Sequence, residues 1–157
     1  MQTLRERLIG TWRLVSYQVS GADGSVVYPM GQDVDGLIMY VPDGHMSANL
    51  MVPGRAAYTG GAAASATPAQ LAAAAAGYFG YAGRFEVDEA AGVVIHRIEV
   101  ALMPNLAGST QRRHVSLDGR RLTLRGDPTP EGTTPYIIWD RVIEQGAEAV
   151  SIAPVCQ

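Results

Sequence analysis

The chain has 157 residues, a hydrophobic fraction of 47% and a formal net charge of −3. A single domain of this length buries a substantial core without disulfide bonds, and its scattered arginines form no basic stripe for a nucleic-acid backbone. The sequence contains no lysine, which excludes Schiff-base and pyridoxal-phosphate chemistry on a lysine side chain. No apolar run approaches the roughly 18 residues of a membrane-spanning helix. We therefore expect a soluble, cytoplasmic protein with neither a nucleic-acid nor a membrane partner.

Residues 1–8 predict a short polar helix, and most of the chain after it alternates between apolar and polar residues with period two. Turns rich in Gly and Pro separate the alternating segments, as is typical of an antiparallel sheet. Three of these turns end in a glycine suited to a hairpin, namely Gly24, Gly44 and Gly119. The predicted strands are 11–20, 35–41, 46–52, 84–87, 93–102, 110–117, 121–125 and 135–143. This pattern predicts an all-β fold, an eight-stranded antiparallel up-and-down barrel.

One alanine-rich segment, residues 58–83, interrupts the strands. Thr67 as N-cap, Pro68 in the first turn and Gln70 three residues after the cap predict a helix that ends near Ala76, within a helical cover of about 67–78. The Gly- and Ala-rich residues before it are flexible by composition. Two interpretations follow: a movable cover over one mouth of the barrel, or a plain surface crossover.

The two ends of the predicted barrel carry a matching pair of residues. Trp12 lies at the start of the first strand and Arg141 on the last one. In a closed barrel this indole packs across one mouth against the guanidinium, so we assign both residues to closing the barrel. The predicted domain spans 1–143 and residues 144–157 form a C-terminal tail. The single cysteine, Cys156, lies in that tail and is not expected to be catalytic.

Short motifs occur in a fixed order over nearly the whole chain. They are Ile9-Gly10-Thr11-Trp12, Gly36-Leu37-Ile38-Met39-Tyr40, Asp43-Gly44-His45-Met46-Ser47-Ala48, Arg55 with Tyr58, Tyr81-Ala82-Gly83-Arg84-Phe85-Glu86-Val87-Asp88, His96-Arg97-Ile98, Pro104-Asn105, Gln111-Arg112-Arg113 and Trp139-Asp140-Arg141. In this order they resemble the lipocalin-like domain family of bacteria and fungi. The resemblance implies a stand-alone, calycin-like barrel around a pocket, with relatives near biosynthetic gene clusters. Leu106 and Ala101 depart from the family pattern, which tends to have Trp and Ser there.

The predicted strand 93–102 provides the first candidate for a binding site. Alternation places His96 on an apolar face that it shares with Val94, Ile98, Val100 and Leu102. On the predicted neighbouring strand, Gln111 and Arg113 share a face with Val115 and Leu117, which marks that face as inward. The sequence therefore predicts a polar cluster of His96, Gln111 and Arg113 inside the barrel.

Each member of this predicted cluster has an alternative structural role. His96 is equally compatible with a core histidine hydrogen-bonded to a tyrosine or a carbonyl group. Arg113 is compatible with an ion pair to Glu86, Glu99 or Asp140, or with a surface position. A buried arginine without a carboxylate favours an anionic or carbonyl-bearing ligand. The further candidates for lining the pocket are Tyr40, Tyr78, Tyr81 and Asn105, with aromatic core packing as the alternative role of each tyrosine.

Two functions fit this cluster. The first is binding of a small, largely apolar molecule that carries a carboxylate or a carbonyl group. The second is a cofactor-independent isomerase or cyclase of secondary metabolism, with His96 as general acid or base and Arg113 stabilising negative charge. The partner in both is a small molecule, and we expect a monomer or a weak homodimer because a closed barrel leaves no long exposed strand edges.

Cofactors and metals are not expected. His45, His96 and His114 come from separate predicted strands without zinc-ligand spacing, and no nucleotide-binding glycine motif occurs. The resemblance to calycin-like barrels leaves one alternative open, which is His96 as a single haem ligand.

Overall fold

The computed structural model describes residues 1–143, so the predicted tail at 144–157 and Cys156 lie outside the described residues. Two helices and nine antiparallel strands make up this part of the chain. The elements are α1 (Leu4–Leu8), β1 (Gly10–Ser20), β2 (Val26–Val27), β3 (Asp35–Tyr40), β4 (His45–Met51), α2 (Pro68–Ala76), β5 (Tyr78–Asp88), β6 (Val93–Ala101), β7 (Thr110–Asp118), β8 (Arg121–Arg125) and β9 (Thr134–Arg141), with 3₁₀ turns at Ala63–Ser65 and Pro104–Leu106.

Eight of these strands form a closed barrel. From β3 to β9 each strand pairs with the next, and β1 pairs with both β3 and β9, which joins the two ends of the sheet. β2 is a two-residue strand that pairs with the end of β1. The predicted eight-stranded antiparallel barrel, with an alanine-rich helix inserted between two of its strands, is confirmed.

β5 is much longer than the strand predicted at 84–87, because residues 78–83 also belong to it. The alanine-rich composition of residues 58–83 predicts an interruption of the strands there, but Gly80 and Gly83 lie inside β5. A glycine inside a strand often marks a close backbone approach. A Cβ atom on Gly83 would lie 2.0 Å from the carbonyl oxygen of Arg97 on β6, so a side chain does not fit there. The longer strand brings Tyr78 and Tyr81 into the barrel wall.

β6 contains a bulge that strict alternation does not predict. In its pairing with β5 the register skips one residue, Glu99. Before the bulge the predicted inward residues are 3% exposed or less: Val94, His96 and Ile98. After the bulge the two faces exchange, so the predicted inward positions of Val100 and Leu102 are wrong. These two side chains are 64% and 47% exposed.

β1 also shifts its register, between Leu14 and Ser16 in the pairing with β9. Strict alternation from Trp12 would place Ser16 on the inward face. The shift instead turns Tyr17 toward the interior, where its ring packs on the core. The bulge thus adds an aromatic side chain to the inner wall.

The N-terminal helix and the ends of β1 and β9 close one end of the barrel. The fully buried Trp12 donates its indole N–H to the carbonyl oxygen of Leu8 at 2.9 Å. The guanidinium carbon of Arg141 lies 4.0 Å from the centre of the Trp12 ring. The same guanidinium donates to the carbonyl oxygens of Ile9 and Arg7. The predicted pairing of Trp12 with Arg141 is confirmed.

α2 begins where the capping residues predict. The Gln70 backbone N–H donates to the Thr67 hydroxyl, and the Thr67 N–H donates to the Gln70 side chain. The helix buries no residue fully, and its last residue, Ala76, is exposed at the edge of the barrel cavity. Neither helix of the described residues is long and apolar enough to cross a membrane. Movement of α2 as a cover stays a prediction.

Candidate functional site

The barrel encloses a cavity of about 350 Å³. Its apolar wall comes from residues that alternate inward on five strands, namely Ile38, Ala48, Leu50, Phe79, Leu124 and Ile137. Its rim includes Met30 from the loop before β3 and Ala76 from the end of α2. Pro135, which also lines the cavity, lies near the start of β9, whereas Arg141 ends that strand. The cavity therefore opens at the end of the barrel opposite the Trp12 and Arg141 closure.

A hydrogen-bonded chain of three side chains forms the polar part of the wall. The Tyr40 hydroxyl lies 2.7 Å from Nε2 of His96, and the Tyr81 hydroxyl lies 2.8 Å from Nδ1 of the same ring. The three residues come from β3, β6 and β5. His96 and Tyr81 line the cavity, whereas Tyr40 lies behind them with its ring packed edge-on against Phe85. The interpretation of His96 as a core histidine bonded to tyrosine is thus correct, and the ring also faces the cavity.

Burial controls the protonation of this chain. Removal from water, together with the nearby positive charge of Arg113, lowers the pKa of His96 to about 3. Burial also raises the pKa of Tyr81 to about 12 and raises the pKa of Tyr40 well above its usual value. At neutral pH all three groups are uncharged.

Arg113 lines the same cavity from β7, as the alternation on that strand predicts. The ion pairs considered for it are not formed, because each of the three carboxylates pairs with another arginine. These pairs are Arg97 with Glu86, Arg84 with Glu99, and Arg121 with Asp140. Among residues 1–143 no carboxylate lies within salt-bridge distance of Arg113, whose Nη1 donates to the Arg112 carbonyl oxygen at 2.8 Å. The guanidinium thus retains donors for a ligand.

The other predicted site residues are only partly brought together. Tyr78 lines the cavity, but its hydroxyl donates to Oδ1 of Asn49 at 2.6 Å. Gln111 pairs with His96 in the sheet and is half-buried, yet it does not line the cavity. Asn105 is exposed in the 3₁₀ turn after β6, so its predicted place in the pocket is not observed. In that turn it is Leu106 that packs against the core.

Sequence reasoning missed three aromatic residues of the cavity: Tyr17, Phe79 and Trp139. Phe79 was missed because it falls in the segment 58–83, where no strand is predicted. Tyr17 was missed because the bulge in β1 reverses its face. Trp139 belongs to one of the quoted motifs. Alternation along the last predicted strand was the signal that could have identified it as a wall residue. Its indole N–H is buried without a hydrogen-bond partner among residues 1–143. A buried donor left unpaired costs about 1–3 kcal/mol.

The two other histidines belong to the outer surface. His45 contacts Asp43 at 2.9 Å and His114 contacts Asp127 at 2.8 Å, and none of these four residues lines the cavity. Within the described part of the chain no group of three or more metal-ligating side chains occurs. Both ring nitrogens of His96 are already bonded to tyrosines, so a haem iron would have to displace one of them.

Comparisons with known proteins agree with this architecture. The profile of the lipocalin-like domain family matches residues 9–142. A protein of Aspergillus oryzae named 4'-hydroxy-3'-methoxypropiophenone carrier protein is 39% identical over 85 residues, which are 50% of this chain and 77% of that protein.

Two solved structures cover most of the chain. A lipocalin-like protein from Bacteroides uniformis has a TM-score of 0.45 and 16% identity, over 86% of this chain and 98% of the other. An uncharacterized protein from Bacteroides eggerthii has a TM-score of 0.44 and 14% identity, over 85% of this chain and 98% of the other.

Proposed function

The chain belongs to the lipocalin-like domain family, and from this premise we propose that it binds and carries one small, largely apolar molecule with a carbonyl or carboxylate oxygen. The observation that carries the proposal is the cavity itself. One end of the barrel is closed, the inner wall is mostly apolar, and a few polar groups converge on one part of that wall. This arrangement is typical of small-molecule sites, in which apolar walls supply affinity and few polar groups fix orientation.

The size of the cavity restricts the ligand. Pockets for small molecules span roughly 300–1,000 Å³, and the volume of about 350 Å³ lies at the low end of that range. A substituted aromatic ring with a short side chain suits this volume better than a long-chain lipid or a haem does. The aromatic side chains Tyr17, Phe79 and Tyr81 on the wall also favour a flat ring.

The polar groups favour an oxygen acceptor on that molecule. Arg113 brings a positive charge without a carboxylate partner in residues 1–143, and Tyr81 brings a hydroxyl group. The name of the Aspergillus oryzae relative specifies an aryl ketone, which combines an aromatic ring with such an oxygen. We therefore place aryl ketones first among candidate ligands and aromatic carboxylates second.

Isothermal titration calorimetry with 4'-hydroxy-3'-methoxypropiophenone tests the proposal, after native mass spectrometry has shown whether the purified protein retains a molecule. Ala48→Phe fills the cavity from its wall and should weaken binding at least about tenfold. The matched control is Ala75→Phe on the exposed side of α2, which should bind as the wild type does. Leu50→Trp replaces Ala48→Phe if the latter does not fold.

Two results would overturn the carrier proposal. One is equal affinity of the wild type and of the folded cavity-filling variant, since binding would then lie elsewhere. The other is a wild type that retains no molecule on purification and binds neither aryl ketones nor aromatic carboxylates.

The alternative function, a cofactor-free isomerase or cyclase, gains less support. A histidine whose pKa is lowered to about 3 is a poor general base at neutral pH, and both of its nitrogens are engaged by tyrosines. The catalytic roles of His96 and Arg113 stay predictions. Chemical analysis of the ligand recovered after incubation tests them, because an isomer of the added compound would establish the enzyme and an unchanged compound would favour the carrier.

A further inference from the structure

The hydrogen-bonded chain of Tyr40, His96 and Tyr81 allows two arrangements of donors and acceptors. A neutral imidazole carries one N–H donor and one acceptor nitrogen, and each nitrogen contacts a tyrosine hydroxyl. One tyrosine must therefore donate to the ring while the other accepts from it. The accepting tyrosine keeps its own O–H proton for another partner.

Burial decides between the two arrangements. Tyr40 is 2% exposed and is not part of the cavity wall, and within residues 1–143 its hydroxyl contacts His96 alone. If Tyr40 accepted from the ring, its own proton would be buried without an acceptor, which is destabilising. Tyr81 is 8% exposed and lines the cavity, so its O–H group can donate to a molecule in the cavity. The favoured state has Tyr40 donating to Nε2 and the Nδ1–H donating to Tyr81.

From this, and resting on the proposed function, we infer that the cavity is selective for a carbonyl oxygen over a hydroxyl group at the same position of the ligand. In the favoured state the Tyr81 O–H donates into the cavity, and the guanidinium of Arg113, which has donors but no acceptor, lines the same wall. A carbonyl oxygen accepts from such donors and carries no proton of its own. An alcohol at the same position brings an O–H proton that needs an acceptor. Arg113 has none, and the Tyr81 oxygen already accepts from the His96 Nδ1–H.

Three probes with one carbon skeleton test this selectivity: propiophenone, 1-phenylpropan-1-ol and propylbenzene. They differ only in whether the carbon next to the ring carries a carbonyl oxygen, a hydroxyl group or no oxygen. The wild type should bind the ketone about 3- to 10-fold more tightly than either of the other two, as expected for one neutral hydrogen bond. Tyr81→Phe should abolish this preference while the affinity for propylbenzene stays within about twofold.

Tyr78→Phe is the matched control, because Tyr78 lines the same cavity but its hydroxyl donates to Asn49. It should leave the preference for the ketone unchanged. The infrared carbonyl band of bound propiophenone gives a readout that does not depend on affinity. In the wild type and in Tyr78→Phe the band should lie below its position in hexane, and in Tyr81→Phe it should move toward the hexane position.

The outcomes separate this inference from the proposed function. If all three probes bind equally well, the cavity binds small apolar molecules but the selectivity is absent. If the ketone is preferred but Tyr81→Phe changes neither the preference nor the carbonyl band, the donor is another group and the inference is wrong. If none of the probes binds, the inference is wrong. The carrier proposal fails with it only if the protein also retains no molecule on purification and binds no aromatic carboxylate.

Discussion

His96 is a buried titratable residue whose position inside the barrel could be predicted. Which tyrosines form hydrogen bonds with it could not. Alternation placed it inside the barrel, where its ring is 1% exposed. Its hydrogen bonds depend on Tyr40 and Tyr81 from two other strands, and no pattern within one strand reports which residues lie beside each other across the sheet. The register between strands therefore decided the chemistry of this residue.

The neutral state of His96 makes the stability of the protein depend on pH. The pKa of this residue is 6.5 in the unfolded chain and about 3 in the folded one, so the unfolded state binds the proton more readily between these values. The stability contributed by neutral His96 is thus complete above pH 6.5 and is lost as the pH falls toward 3. Between pH 6.5 and 5 the wild type should lose about 1.5 kcal/mol more unfolding free energy than His96→Gln.

Urea denaturation at these two pH values measures the difference. His45 and His114 are present in both proteins, so their contributions cancel in the comparison. An equal pH dependence of wild type and His96→Gln would show that His96 is not held neutral by burial.

At the scale of the strands, the fold could be predicted wherever the alternation is unbroken. The inward residues of β8 and β9 follow it, as do the first residues of β6. It failed at Val15 and Glu99, where one extra residue reverses the faces. It also failed in the first half of β5, which the alanine-rich composition of residues 58–83 assigns to the insertion. Bulges and close backbone contacts depend on the neighbouring strand, so a single segment of sequence does not specify them.

Gly83 provides a test at this scale. An alanine there would bring its Cβ within 2.0 Å of the Arg97 carbonyl oxygen and 2.9 Å of the Glu99 backbone nitrogen, so β5 and β6 would have to separate at the bulge. We expect Gly83→Ala to lower the unfolding free energy by more than about 3 kcal/mol. The control is Gly24→Ala at a hairpin turn with φ +82° and no atom within 4 Å of the added Cβ, which should cost about 1–2 kcal/mol.

Chemical denaturation of both variants provides the comparison. If Gly83→Ala proves no more destabilising than Gly24→Ala, the close approach of the two backbones at the bulge is incorrect.

At the scale of the whole molecule, the barrel separates the contacts that close one end from the cavity. Trp12, Arg141 and α1 close one end, and the cavity opens at the other. The residues at the closed end could be predicted, because Gly-x-Trp and Arg at opposite ends of the chain have a simple geometric meaning once the sheet closes. The cavity could not be predicted to the same extent, because its wall combines residues from every barrel strand.

This separation makes a prediction about Arg141→Met. The variant loses two hydrogen bonds from a charged donor, one to the part-buried carbonyl oxygen of Ile9 and one to the exposed carbonyl oxygen of Arg7. It also loses the contact of the guanidinium with the Trp12 ring. We expect a loss of about 2–4 kcal/mol in unfolding free energy. Arg121→Met is the control, because it removes an exposed ion pair with Asp140, and such surface pairs contribute little to stability. Ligand affinity, measured by calorimetry below the unfolding transition, should be unchanged in both variants. A loss of affinity in Arg141→Met alone would show that the closed end is energetically coupled to the cavity, and that the barrel responds to its ligand as a unit.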